Sequence, residues 1–163
     1  MRDAIIDKAE GWLGCGPVAV AALVGAPLTT VEALFVGNGS DGVMTDAADL
    51  ALALSYFGMG LDLGYVSDYG AEPALGGALR FCPADRALVL AIDVEGEGEG
   101  HWIAVHGWRF ADVQTRGRWV EFSDHGLYAE SLVETIWTVE LAREPLPPWA
   151  PRFRQRRDLI GQR

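Results

Sequence analysis

Cysteine occurs only twice in the 163 residues, at Cys15 and Cys82. Two thiols are too few for a disulfide-stapled scaffold or for a zinc site built on paired cysteines, and a chain of this length folds without staples, so both are expected as free thiols. Long apolar runs are missing too. The stretch from Pro17 to Leu28 is too short to span a bilayer, and the N-terminus MRDAIIDKAEG lacks the basic-then-apolar order of a secretory signal. No membrane and no export address are expected, which points to a cytoplasmic setting. No glycine-rich phosphate loop is present, and no metal or other cofactor is expected.

Basic charge is scarce where a fold would use it. Residues 1–142 hold seven basic against twenty-one acidic residues, whereas residues 143–163 hold six against two. An acidic body argues against nucleic acid as a partner, because neutralising phosphates needs clustered Lys and Arg on the folded surface. The basic end follows the phrase Glu-Pro-Leu-Pro-Pro-Trp-Ala-Pro, which cannot continue a sheet because proline lacks the ladder donor. The expected organisation is therefore a domain over 1–142 and an extended Pro/Arg-rich arm over 143–163, suited to docking on another subunit or an acidic surface.

What the chain does have is apolar material: half of its residues are hydrophobic, with six tryptophans. Pro17 to Gly25 reads as a short buried helix, opened by proline and stopped by glycine. Thr29-x-x-Glu32 has the form of a capping box and starts a second helix to about Val36. Thr45 is expected to cap a third, which ends at Gly58. Beyond Gly60 the pattern turns to strands: Leu61 to Val66, Ala87 to Val94, His101 to His106, Arg118 to Ser123 and Leu132 to Leu141. The stretch from Asp68 to Gly77 reads as loop. Glu95, Glu97 and Glu99 alternate with glycine in what reads as a solvated hairpin rather than an oxygen cage for a cation. The class is α+β, a helical N-terminal half against a C-terminal antiparallel sheet.

Chemistry concentrates at Gly14-Cys15-Gly16-Pro17. A cysteine at a helix start meets the free amides and positive dipole end of the first turn, which favour the thiolate. Gly14 and Gly16 would let backbone come close to a substrate. A small buried hydrophobe at a helix start is the other reading of Cys15. Cys82, beside Pro83 and with no histidine near it in sequence, reads as core.

A thiolate nucleophile needs a base, and the chain has three histidines, His101, His106 and His125. His101 opens a strand after the glycine-rich hairpin. His106 lies five positions on, so strand alternation turns it to the other face. A base also needs a polar group to orient it, and Asp124 closes the strand beginning at Arg118. The plainer reading of Asp124 is a turn residue before Gly126.

The order Gly14-Cys15-Gly16-Pro17, then helices, then Gly100-His101-Trp102-Ile103-Ala104-Val105, then Asp124-His125-Gly126 resembles the papain-like cysteine peptidases. It is most similar to the leader-processing peptidase domains of bacteriocin ABC exporters and their free-standing relatives. The resemblance spans about residues 9–140. It implies a papain-like fold with the nucleophile on a central helix, Cys15 as nucleophile, His101 as base, Asp124 as its orienter, and a peptide or protein substrate.

That family places a glutamine about six positions before the cysteine to hold the oxyanion. Here the region reads Lys8-Ala9-Glu10-Gly11-Trp12, so the Trp12 indole and the Cys15 amide are the donors on hand. Two functions follow: a thiol hydrolase, peptidase or amidase, with a Cys-His-Asp triad, or a papain-like scaffold without turnover that serves as a structural or interaction protein in a larger assembly such as a virus particle.

Overall fold

A computed structural model describes residues 2–8, 13–40, 45–66, 87–93, 100–122 and 132–141. Among these described residues three helices come first, α1 (Cys15–Val24), α2 (Leu28–Gly37) and α3 (Ala47–Ser55). Six strands follow among them: β1 (Met59–Val66), β2 (Ala87–Asp93), β3 (Gly100–His106), β4 (Arg109–Ala111), β5 (Val120–Glu121) and β6 (Leu132–Leu141). They form one sheet in the order β1-β6-β2-β3-β4-β5, with every neighbouring pair antiparallel. The mixed α+β class expected from the sequence is the one observed. Among the described residues no helix is long and apolar enough to cross a membrane.

α1 is the hub. Every residue from Gly16 to Leu23 is buried, because α1 packs against α2, α3, β3 and β4 together. A helix surrounded in this way needs apolar residues on all sides and shows no polar face, which is why Val18 to Val24 is an unbroken run of small and aliphatic residues. Gly25 ends it in the left-handed conformation, φ 65°, returning its N–H to the Ala21 carbonyl. The core continues through Leu28, Val31 and Phe35 of α2, Leu50, Ala53 and Leu54 of α3, and Trp102 and Ala104 of β3.

Two expected caps form differently. Thr29 does not cap α2: its N–H and hydroxyl both go to the Asp7 carboxylate, while Glu32 pairs with Lys8. Both partners are drawn to the extended N-terminal segment instead of closing the box locally. At α3 the cap is Asp46, whose carboxylate accepts the Asp49 N–H at 2.9 Å while Asp49 reaches back to the Asp46 N–H. A carboxylate at each of the two positions makes the reciprocal pair that Thr45, one residue earlier, cannot make.

The strand expected over Arg118 to Ser123 shortens to Val120–Glu121, since the Trp119 N–H is taken by the Asp3 carboxylate at 3.0 Å. Residues 2–8 thus act as a strap. Ala4 donates to the Gly117 carbonyl, Ile5 bridges Pro27, and the Trp119 indole donates to the Arg2 carbonyl. The strap joins the α2 side of the molecule to the segment that follows β4.

Candidate active site

Cys15 enters the site as the first residue of α1. Gly14, its N-cap, is extended at φ −70° and ψ 134°, and its carbonyl accepts the first helical bond from Val18. The Cys15 N–H therefore has no partner within the helix. The thiol is free and half-buried.

Gly16 has a different use from the one expected. A Cβ added there would lie 2.2 Å from the Thr45 hydroxyl and 2.9 Å from the Thr45 Cβ. The space beside Gly16 is filled by Thr45 rather than left open for a substrate. Thr45 is fixed in turn by the Trp102 indole, which donates to its carbonyl at 2.8 Å. The same bond holds the start of β3 against the helical half.

His101 is the second residue of β3, and its side chain hydrogen-bonds the Cys15 sulfur. The sulfur also receives the backbone N–H groups of Trp102 and Gly16. Burial pushes the thiol up, but these bonds and the nearby imidazolium charge outweigh it and hold the thiol below its ordinary value. For His101, burial favours the neutral ring, while the Asp112 hydrogen bond, the Cys15 hydrogen bond and the charges of both partners favour the cation. The balance lifts His101 to about 9. The two shifts share one contact, in which a cation on His101 favours the anion on Cys15 and the reverse.

The acid facing this histidine is Asp112. Its Oδ2 lies 3.1 Å from His101 Nε2, with the carboxyl side chain fully buried and the imidazole 17 % exposed. With Nε2 committed to Asp112, Nδ1 is the nitrogen left for the sulfur. Asp112 was missed because it follows a strand of only three residues that the chain's composition does not announce. The readable signal was the hairpin. His106 pairs with Arg109 across Gly107-Trp108, and Gly107 takes φ 59° while Trp108 does not turn positive, as a type II′ turn requires. Carrying that register past Ala104 and Ala111 sets Asp112 opposite Ile103, two residues from His101 on one face.

His106 is turned away as alternation demands and lies edge-on against Trp119, with ring centroids 6.4 Å apart. Asp124, His125, Trp12, Glu10, Cys82, Glu95, Glu97, Glu99, the loop from Asp68 to Gly77 and the arm over 143–163 lie outside the described residues. Among the described residues no group of three or more His, Cys, Asp or Glu side chains is placed to hold a metal ion. No family model matches the chain, and neither a curated protein nor a solved structure matches it.

Proposed function

We propose that the protein is a thiol hydrolase of papain-like type, acting on a peptide or amide bond through Cys15, His101 and Asp112. The observation that carries this reading is the hydrogen-bonded series from the Cys15 sulfur through His101 to the buried carboxylate of Asp112. A cysteine that only filled space at a helix start would not need an imidazole, and an imidazole that only filled space would not need a buried acid.

The chemistry follows from the charges. The Cys15 thiolate attacks the carbonyl carbon, and the C–O π electrons move to oxygen. The Cys15 N–H, which has no partner within α1, donates to that oxygen. As the tetrahedral centre collapses, the C–N bond breaks and the His101 imidazolium gives its proton to the leaving amine. A thioester remains. Neutral His101 then takes a proton from water, whose oxygen attacks the thioester, and collapse releases the carboxylic acid and restores the thiolate–imidazolium pair. Asp112 keeps the ring oriented and stabilises its cation throughout.

Iodoacetamide tests the reading. Cys15 should be alkylated well below the pH at which a free thiol reacts, and His101→Ala should move the onset up to the ordinary thiol range. The rate at which the ion pair acts should fall as pH rises through about 9, where His101 loses its proton. Alkylation of Cys15 no faster than a free thiol would sink the hydrolase reading and leave the scaffold without turnover in its place.

A further inference from the structure

The buried turn after β4 holds Asp112 by more than its own backbone. Thr115, only 3 % exposed, meets Asp112 at three points. Its hydroxyl accepts the Asp112 N–H at 3.0 Å and lies 3.2 Å from the Asp112 carbonyl, to which it donates. Its N–H donates to Asp112 Oδ1 at 2.9 Å. One carboxylate oxygen is therefore occupied by Thr115, and the other faces His101.

We propose that Thr115 is a positioning residue, which fixes the Asp112 carboxylate so that Oδ2 points at His101, the ring that faces the Cys15 sulfur. This rests on the hydrolase reading of the Cys15–His101–Asp112 series. The physical reason is rotational. A carboxylate held at one oxygen can swing the other away from its target, and a buried one has no water to guide it back. The Thr115 hydroxyl closes the main chain of Asp112 into a tight ring, and that ring puts the Thr115 N–H where only one carboxyl orientation can accept it. The next residues reinforce it. Gly117 donates to the Asp112 carbonyl at 2.7 Å, and both Arg116 and Gly117 take left-handed conformations, φ 53° and 70°, to bring that N–H round.

Valine has threonine's shape but offers Asp112 neither an acceptor for its N–H nor a donor for its carbonyl. Serine offers both. The comparison of the two separates a role through hydrogen bonding from one through volume.

The experiment is a pH profile of Cys15 alkylation by iodoacetamide in the full chain, with cooperative thermal unfolding checked for each variant. Thr115→Val is expected to raise the onset by about one pH unit, a roughly tenfold slower reaction at a fixed pH below it. Thr115→Ser is expected to keep the wild-type onset. In an Asp112→Asn background, Thr115→Val should cause no further shift, because its effect passes through the carboxylate.

A folded Thr115→Val with the wild-type profile overturns the proposal. So does a shift in Thr115→Ser as large as that of Asp112→Asn, and this second comparison decides the matter if the valine variant does not fold. Failure of the hydrolase reading looks different, since the wild-type protein itself would then alkylate like a free thiol.

Discussion

The two segments that meet at His101 are built in opposite ways. On one side the start of α1 presents Cys15 from an apolar helix buried all round, held by packing of small residues against α2, α3 and β3. On the other side the turn after β4 presents Asp112 from a short irregular segment, held by hydrogen bonds from Thr115 and Gly117 and by the strap over 2–4. Packing tolerates many sequences of similar volume, whereas a closed hydrogen-bonded turn tolerates few. The mount of Cys15 is therefore the generic half of the site and the mount of Asp112 the specific half.

The largest effect should come from separating the two carboxylates. Asp112→Asn removes the negative charge beside His101, so the ring's value falls from about 9, the thiol's rises, and the alkylation onset moves to higher pH. On the hydrolase reading, turnover of a peptide substrate is expected to fall on the order of 10²-fold or more, the scale of a general acid–base contribution. Asp124→Asn should leave the onset where it is. The reverse pattern, with Asp124→Asn shifting the onset and Asp112→Asn silent, would transfer the acid's role to the residue the sequence first suggested.

Two glycines carry the comparison down to stability. A Cβ at Gly117 would lie 2.5 Å from the Ala4 Cβ, at a φ of 70° that side chains resist. Gly117→Ala is expected to cost about 1–3 kcal/mol for the conformation, with the clash against the strap added to it. Gly16→Ala keeps a helical backbone, so its cost is the displacement of Thr45 alone, about 1–3 kcal/mol as overpacking. Thermal unfolding ranks them, and Gly117→Ala should be the less stable. The Gly117 variant should also raise the alkylation onset, since it loosens the turn that aims Asp112.

This contrast explains what could be read from the chain. The start of α1 was legible because its signals are local: glycine before, proline after, a run of small apolar residues and a glycine stop. β6 was legible over its full length from its Val, Trp, Ile and Thr content. Asp112 was not legible in the same way, since its role depends on the pairing register of β3 and β4 and on a turn that exchanges bonds within four residues. Thr29-x-x-Glu32 misled for a related reason. The motif's local partners were outcompeted by Asp7 and Lys8, which arrive from more than twenty residues away.

The strap gives smaller, graded tests of the specific half. Asp3→Ala leaves the Trp119 N–H without its carboxylate acceptor and is expected to cost about 1 kcal/mol, since this part-buried bond is to a charged group but has some access to water. Lys8→Ala removes an ion pair at 3.2 Å whose side chains remain 32 % and 26 % exposed, so solvent screens it and the cost should stay below about 1 kcal/mol. The two differ in where they pull. Asp3 acts on Trp119, beyond the turn that holds Asp112, and its loss should move the alkylation onset slightly upward. Lys8 acts on α2 and should leave the onset unchanged. An equal shift in both would mean that the strap influences the site through the whole fold rather than through the Asp112 turn.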